Sequence, residues 1–514
     1  MDNKRKYFSI LLTVVSILFL VPYSIYAQKQ YPSQVTVVLN KSNGNKSELE
    51  KVIAHFNKPE DSLKLKATYF LISNMDIHHS ESYYWADSSG KYVTYDELNY
   101  PDFTTALKAF DSVKKTVRKI HPVPYAYRDI DTIKAEFLID NINQAFELWH
   151  RPLANQIPFA DFCEYLLPYR ISIEPIQDWR TVYKNRFNLA SEKSDQIDSV
   201  LRYLKKDMTN WFTCTYNLEK RPDPIPRLGA LQLLQRKKGP CEDIADLAVF
   251  ALRSQGIPAS IDHVPAWATS SGNHTLDVVF NSSVQPIHYD LLLLGDSIKE
   301  FIREPAKVIR ATYSRQTNTL PYFENEENIP PGFMRLTNYK DVTQEYWQTK
   351  DITCNIFRLT KMPKIAYAAV LNYSNWTPTW WGFVKNDSVT FSSLCKGAVF
   401  LPMYYIGGKL RPAGYPVVSG YKSMKVLKPD TLNTRSITLK EEEHYLRYRS
   451  GKKYKLYYWN NYWKLIDEKI AAENTTELVF ERVPKNALCI LIPEYTQRKE
   501  RPFSLNEKGE REWW

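Results

Sequence analysis

Apolar residues recur at spacings of three and four through the first third of the chain, which is the period of amphipathic helices. The pattern predicts helices in SELEKVIAHF, DSLKLKATYFLI, FTTALKAFDSVKKTVRKI and DTIKAEFLIDNINQAFELW. We therefore expect residues 28–150 to form an α-helical N-terminal domain. The adjacent residues His78 and His79 would point to different helix faces, and no further ligand follows Glu81 at a suitable spacing, so we assign these residues structural or surface roles.

The period changes beyond the turn-forming cluster Pro330-Pro331-Gly332. Short runs rich in β-branched and aromatic residues follow, separated by Gly, Pro, Asn and Asp, and this pattern is typical of small β-sandwiches. We predict a linker at residues 321–345 and two β-sandwich modules, at residues 346–440 and 441–514.

One helix has a different pattern, since the run from Ile244 to Leu252 is apolar on nearly every face and predicts a buried central helix. Cys241 lies in its first turn. Unpaired backbone N–H groups and the positive end of the helix dipole favour a thiolate there, while Glu242 and Asp243 partly oppose it. Cys241 is therefore a candidate nucleophile.

A predicted hairpin follows this helix. Residues 274–280 alternate as a half-buried strand does, and Asn281-Ser282-Ser283 predicts a tight turn into a returning strand. With Ser282 at the turn centre, His274 lies directly opposite Asp290 on the same face, with Cβ atoms about 5 Å apart. At that distance a carboxylate is able to hold an imidazole nitrogen.

The same register places the other titratable residues of the hairpin. Asp277 falls on the opposite face, and His288 falls on the face of His274 as a neighbour or a second candidate base. The arrangement predicts acyl-transfer chemistry: His274 takes the Cys241 proton and returns it to a leaving amine, Asp290 fixes the imidazole tautomer, and the thiolate forms an acyl-enzyme.

These residues resemble a known family. The run GPCEDIADLAVFALRSQGIPA at 239–259 is similar to the nucleophile segment of transglutaminase-like proteins, and HTLDVVF, beginning at His274, resembles the strand that carries their catalytic histidine. Asp290, in IHYD, matches the position of their triad carboxylate. Leu276 departs from the pattern, which has an aromatic residue two places after the histidine. The resemblance implies an α+β protein with a papain-like core at residues 151–320 and appended β-sandwich modules.

An oxyanion hole needs at least two donors, of which the nucleophile's own backbone N–H is one. Gln232 and Gln235, upstream of it, and Trp267, in the loop before the histidine, are candidates for the second donor or for a cleft wall. Arg170 lies in a segment that resembles one accompanying the core in secreted bacterial members of the family. It either lines the cleft or pairs with Glu174 at a domain contact.

Composition adds few constraints. The 514 residues are 44% hydrophobic and 14% aromatic, which suits packed cores, and the net charge of +11 is spread along the chain without a nucleic-acid-binding motif. We expect no nucleic-acid partner, no metal and no cofactor. The other cysteines are far apart without metal-ligand spacing, and most are predicted to be buried thiols: Cys163, Cys214, Cys354, Cys395 and Cys489.

The N-terminus has the pattern of a secretory signal peptide. Lys4-Arg5-Lys6 precedes an apolar run from Phe8 to Val21, and Ala27 suits a cleavage site. The run is shorter than the about 20 residues of a spanning helix, so we favour a cleaved signal at residues 1–27 over an uncleaved anchor. No later segment is apolar enough to span a membrane. We expect a secreted protein, either periplasmic or at the cell surface.

These observations predict a secreted thiol enzyme that acts on amide bonds of peptides or glycopeptides, by hydrolysis or acyl transfer. Cell-envelope polymers are the expected partners, and we expect the chemistry to persist without the C-terminal modules. Two alternatives remain: a noncatalytic scaffold that binds envelope glycans or proteins, and a protein-crosslinking transglutaminase. Aromatic residues of the modules either stack on sugar rings or pack internally: Trp376, Trp380, Trp381, Tyr457, Tyr458, Trp459, Trp463, Trp513 and Trp514.

Overall fold

The computed structural model mixes helices and sheets. It describes residues 31–514, except residues 152, 154–156, 194–195, 216–226, 282, 292–300, 302 and 444. The predicted signal peptide therefore lies outside the described residues. Within the described part of the chain, no helix is long and apolar enough to cross a membrane.

The N-terminal region contains a small sheet besides the predicted helices. The helices are α1 Ser33–Lys41, α2 Lys46–His55, α3 Ser62–Asn74, α4 Phe103–Thr116, α5 Asp129–Thr132 and α6 Ala135–Trp149. An antiparallel sheet of order β2–β1–β3 accompanies them, formed by β1 His79–Ala86, β2 Tyr92–Val93 and β3 His121–Arg128. The predicted α-helical domain therefore also contains a sheet, because β1 and β3 are extended strands that pair over their whole length.

The N-terminal helices share one hydrophobic core with the central region, to which Phe162 and Tyr169 contribute. Arg170 fixes this contact. Its Nε and Nη2 donate to Asp129 Oδ2 and Oδ1 at 2.6 and 2.7 Å, and both side chains are buried. The predicted pair with Glu174 does not form, since Glu174 accepts backbone N–H groups instead. Arg170 thus joins two regions of the fold rather than lining a cleft.

His78 has a structural role in the same contact. Its Nε2 lies 2.8 Å from the carbonyl oxygen of Tyr313, and the two rings are stacked. Burial, with the nearby Arg170 charge, lowers the pKa of His78 to about 3, so the ring is neutral. Among the described residues, no group of side chains is arranged to hold a metal ion.

The central region places one helix against a five-stranded antiparallel sheet of order β10–β9–β6–β7–β8. Its helices are α7 Phe159–Tyr165, α8 Arg180–Lys193, α9 Ile197–Trp211, α10 Ala230–Arg236 and α11 Cys241–Ser254. Its strands are β4 Thr213–Cys214, β5 Lys238–Gly239, β6 Ala259–Val264, β7 His274–Phe280, β8 Pro286–Tyr289, β9 Ile309–Ala311 and β10 Tyr339–Asp341, followed by the short helix α12 Thr343–Tyr346. The predicted linker 321–345 therefore supplies an edge strand to this sheet.

The first C-terminal unit is a single antiparallel sheet with the path β11–β14–β13–β12–β15–β17–β18 and β16 paired to β15. Apolar side chains from strands along this path meet in one core, and β11 also contacts β17. The sheet thus curls around its core. The strands are β11 Thr349–Asn355, β12 Ile365–Asn372, β13 Asn375–Lys385, β14 Ser388–Cys395, β15 Ala398–Ile406, β16 Lys409–Pro412, β17 Val417–Ser419 and β18 Met424–Val426.

The second C-terminal unit has two sheets, β19–β22 and β21–β20–β23–β24–β25, that contribute to one core. Its strands are β19 Asp430–Lys440, β20 Lys453–Trp459, β21 Trp463–Ile470, β22 Glu477–Lys485, β23 Cys489–Pro493, β24 Phe503–Leu505 and β25 Arg511–Trp513. The predicted boundary near Lys440 is wrong, because β19 pairs with β22 and belongs to this unit.

Most of the tryptophans proposed for sugar stacking are buried or partly buried against the cores of the C-terminal units. Trp376, Trp459, Trp463 and Trp514 contribute to a cluster that contains residues of both units. Trp380 is buried in the first unit beneath the Lys307 ammonium, 4.1 Å from the ring centroid. The prediction of buried thiols is confirmed for Cys163, Cys354, Cys395 and Cys489, and burial raises the pKa of each.

Replacing Asp129 by Asn should destabilise the protein by about 3–5 kcal/mol, because the buried Arg170 charge would lose its counter-charge. Urea unfolding measures the loss. Asp131→Asn is the matched control, since its Arg128 partner is largely solvated and the pair is worth below about 1 kcal/mol. Equal losses in the two variants would contradict a buried, structure-fixing ion pair.

Candidate active site

Cys241 begins helix α11, in which every residue except Glu242 is buried. The first backbone hydrogen bond of the helix runs from Ile244 N to Pro240 O, so the N–H of Cys241 is not used by the helix ladder. Gly239, two residues earlier, is constrained by the helix: a Cβ there would lie 2.3 Å from Asp243 Oδ2. The Gly-x-Cys spacing therefore has a steric cause.

His274 begins strand β7 and lies between Asp290 and Cys241. Its Nε2 is 2.7 Å from Asp290 Oδ2, so the carboxylate occupies this ring nitrogen rather than Nδ1. Burial opposes protonation, but the hydrogen bonds and charges of Asp290 and Cys241 outweigh it and raise the pKa of His274 to about 9. The structure thus brings the three predicted residues together.

The hairpin register differs from the predicted one. Strands β7 and β8 pair Val278 with His288, so the turn centre lies one residue later than Ser282. The side chain of Asn281 accepts the backbone N–H groups two and four residues ahead, at 3.0 and 2.9 Å, and this widens the turn. Asp290 is then diagonal to His274 rather than directly opposite, and its carboxylate still reaches the ring.

Asp277 and His288 lie outside this group. Asp277 is on the other face of β7, where burial raises its carboxyl pKa well above the usual value. His288 stacks on Tyr346 with 3.7 Å between ring centroids, and its Nε2 is 3.8 Å from Glu345 Oε2. His288 therefore contacts α12 at this point, which does not favour it as a second base for Cys241.

The upstream glutamines serve structural purposes. Gln235 Nε2 donates to the carbonyl oxygens of Glu97 and Tyr100, at 2.6 and 3.0 Å, and so is directed away from an oxyanion role. Gln232 Oε1 accepts the backbone N–H of Gly229 at 2.9 Å, which caps helix α10. Trp267 does lie at the site, with its indole nearly parallel to the imidazole of His274 at a centroid distance of 6.1 Å.

The carboxylate of Glu242, which the sequence predicts to oppose a thiolate, lies beside the thiol. Cys241 Sγ donates to Glu242 Oε2 at 3.2 Å. Burial raises the pKa of Glu242, but its own backbone, Arg227, Cys241 and His263 together lower it below the usual value. Burial and then Arg227 lower the pKa of His263 to about 4, so this second histidine is neutral. Of Glu242, Arg227 and His263, only Glu242 was recognised from the sequence, because it is adjacent to the cysteine.

The first C-terminal unit holds the loop before His274. At the end of β12, Asn372 Nδ2 donates to Gly272 O at 2.9 Å, and its Oδ1 accepts Gly272 N at 3.1 Å. The same amide donates to the carbonyl oxygens of Ser270 and Trp267 at 3.4 and 3.5 Å. The expectation of a site that is complete without this unit is therefore not supported. No local pattern could reveal the contact, since its partners are about 100 residues apart in sequence.

The thiol is enclosed in this structure. Cys241 is 1% exposed and Trp267 is 8% exposed. The His274 side chain retains 16% exposure. Cys241 therefore has little contact with solvent in this structure.

Comparison with known families agrees with this geometry. Residues 183–288 match the model of the transglutaminase-like superfamily. This segment is similar to a transglutaminase-like domain. It spans about a fifth of the chain, includes Cys241 and His274, and ends two residues before Asp290. The chain matches no curated protein.

Asp290→Asn should lower the pKa of His274 from about 9 to below 6.5, because burial then acts without a carboxylate to oppose it. Protonated His274 stabilises the folded wild type fully below pH 6.5, and this contribution disappears as pH rises through about 9. Histidine NMR titration and urea unfolding at both pH values measure the two effects. Asp277→Asn, which removes a carboxyl from the opposite face of β7, is the control. A wild-type His274 that titrates near 6.5 would refute the assignment.

Asn372→Ala should loosen the loop before His274, because four hydrogen bonds to that loop are lost. We expect the Gly272 amide to exchange with solvent about 10-fold faster, as follows from losing a hydrogen bond of about 1.4 kcal/mol. Hydrogen exchange read by mass spectrometry measures this. Asn375→Ala is the matched control, since the exposed Asn375 amide contacts only Tyr373 O among the hydrogen bonds of the described residues. Unchanged exchange of the Gly272 amide in the Asn372→Ala variant would show that the loop keeps its conformation without these hydrogen bonds.

Proposed function

We propose that the protein is an exported thiol enzyme that acts on amide bonds of peptide or glycopeptide substrates from the cell envelope. Cys241 is the nucleophile, His274 the acid–base group and Asp290 the residue that orients the imidazole. The observation that carries this proposal is the 2.7 Å contact of His274 Nε2 with Asp290 Oδ2 beside a cysteine at a helix N-terminus. Export rests on the sequence pattern of the first 27 residues.

The reaction begins with transfer of the thiol proton from Cys241 to His274 Nδ1. The thiolate attacks the carbonyl carbon, and the unused backbone N–H of Cys241 is placed to donate to the oxyanion. The C–N bond then breaks, the leaving amine takes the proton from His274, and a thioester remains. Water resolves the thioester to a carboxylic acid, or an amine resolves it to a new amide; either route restores the thiol.

Electrostatics at the site act in two directions. Hydrogen bonds and charges of Asp290 and Cys241 raise the pKa of His274, so the imidazole stays protonated once it has taken the thiol proton. Glu242, 3.2 Å from the sulfur, favours the protonated thiol instead. A substrate that displaces the Glu242 carboxylate from the sulfur would remove this opposition and direct the thiol proton to His274.

The enclosure of the thiol supports one competing function. A cysteine that is 1% exposed fits a noncatalytic scaffold as well as a closed enzyme. In that case the domain would bind envelope polymers without turning them over. A protein-crosslinking enzyme differs from the proposed one only in the acceptor that resolves the thioester.

Acyl-enzyme trapping distinguishes these functions. The protein is incubated with glycopeptide fragments from the envelope of its own host, quenched in acid and analysed by intact and peptide mass spectrometry. We expect a substrate adduct on Cys241 and release of a new amine. His274→Ala should reduce release by about 1000-fold, and Asp290→Asn by about 100-fold or more. The Asp277→Asn variant should release the amine at a rate close to that of the wild type.

Addition of a fluorescent primary amine separates the two acceptors. Incorporation into product at the expense of free acid indicates acyl transfer, and unchanged free acid indicates hydrolysis. If no adduct forms and Cys241→Ser retains full binding to the polymer, the scaffold function replaces the catalytic one. Alkylation of Cys241 no faster than that of the buried Cys163 would count against catalysis as well.

A further inference from the structure

A cleft lies in the N-terminal region, and Cys241 is not among its lining residues. It has a volume of about 560 Å³ and runs along residues 82–85 of β1, facing residues 95–98. Gln177 and Gln232, from the central region, also line it. This volume suits a ligand of two or three small rings. Neither the acyl-transfer steps nor the matched family segment explains the aromatic side of the cleft.

Three tyrosines form a continuous aromatic surface in this cleft. The sheet register places Tyr84, Tyr92 and Tyr125 on one face, since Ser82 pairs with Tyr125 and Ala86 with Tyr92. The Tyr84 ring is 5.9 Å from that of Tyr92 and 6.1 Å from that of Tyr125. Tyr92 is 59% and Tyr125 45% exposed. Contiguous exposed aromatic faces of this kind mark binding surfaces.

Two amides on the other side of the cleft have a fixed orientation. Gln177 Oε1 accepts the backbone N–H of Leu231 at 2.7 Å, and Gln232 Oε1 accepts that of Gly229 at 2.9 Å. Each oxygen is thereby used, and neither Nε2 donates a hydrogen bond to another described residue. Gly229 leaves room for the Gln177 amide in this position, since a Cβ at residue 229 would lie 2.5 Å from Gln177 Oε1. The cleft thus presents two oriented amide donors.

The charges of the cleft indicate an uncharged ligand. Its lining contains no lysine or arginine, which disfavours phosphates and nucleic acids. Its two acidic residues are engaged within the protein: Asp96 accepts the backbone N–H of Leu98, and Glu97 pairs with Arg236 at 2.8 Å. The remaining features are aromatic faces and N–H donors. They suit a ligand that has rings with apolar faces and also carries amide carbonyl groups.

We propose that this cleft binds an uncharged oligosaccharide with N-acetyl groups. Its sugar rings stack on Tyr84, Tyr92 and Tyr125, and its acetamido carbonyls accept hydrogen bonds from Gln177 and Gln232. Binding is independent of the chemistry at Cys241. If the proposed function holds as well, the cleft receives the glycan part of a glycopeptide substrate.

Isothermal titration calorimetry with tri-N-acetylchitotriose tests the proposal. The full chain carries Cys241→Ala, so that turnover does not contribute and a failure of the proposed catalysis leaves the result unaffected. We expect saturable binding at millimolar concentrations or below. Cellotriose, which has the same ring number but hydroxyls in place of the acetamido groups, should bind about 10-fold more weakly because it lacks the amide carbonyls.

Variants locate the binding. Tyr92→Ala and Tyr125→Ala should each weaken binding about 10-fold through lost stacking. Tyr462→Ala is the control, since Tyr462 is 63% exposed on the second C-terminal unit and should leave the affinity unchanged. Circular dichroism verifies that each variant is folded. Absence of binding, equal affinity for cellotriose, or insensitivity to both cleft tyrosines would overturn the proposal. Tighter binding of an uncharged tripeptide that displaces the sugar would assign the cleft to peptides instead.

Discussion

Burial of helix α11 on all sides is the constraint on which the central region depends. A polar side chain on such a helix must find its partners inside the protein, because an unpaired buried group costs about 1–3 kcal/mol or more. Arg253 meets this requirement by donating to the carbonyl oxygens of Tyr165, Pro168, Arg170 and Ala259. One guanidinium therefore joins the helix to the segment after α7 and to strand β6. The helix N-terminus that carries the thiol is held by the same packing.

The second constraint is which residues of the hairpin share a face. This was predicted correctly although the strand register was not. Moving the turn centre by one residue changes the sum of paired residue numbers by two, so residues that share a face continue to share it. His274 and Asp290 therefore remain on one face although the predicted turn at Ser282 was misplaced. The misplacement arose because Asn281 uses its side chain to cap the turn, and Val284 adopts a positive φ of 58°. The residue types alone do not determine how many residues such a turn contains.

Local patterns predicted the elements better than their partners. Helices such as Lys46–His55 and Ala135–Trp149 followed from apolar spacing, since each buries one side on the shared core. Strand His79–Ala86 was missed because its tyrosines and serines lack a strong apolar alternation. Its stability comes from pairing with His121–Arg128. The predicted unit boundary near Lys440 was wrong for a related reason. Strand β19 belongs to the second C-terminal unit because it pairs with the distant strand β22, and no local change in composition reveals this pairing.

Long-range contacts also decide what belongs to the site. An aromatic series runs from His274 through Trp267 and Phe301 to Tyr346, with successive ring centroids 6.1, 5.3 and 5.0 Å apart. Tyr346 lies beyond the central sheet in sequence, yet its hydroxyl donates to Asp262 Oδ2 on β6 at 2.6 Å.

Together with the Asn372 contacts, this series means that residues from beyond the family segment position the loop and ring beside the imidazole. The first C-terminal unit therefore helps to hold the site, and most tryptophans of the two C-terminal units are used in packing. The tyrosine face of the N-terminal sheet differs from these tryptophans, because Tyr92 and Tyr125 are exposed, and Gln177 and Gln232 of the central region line the same cleft.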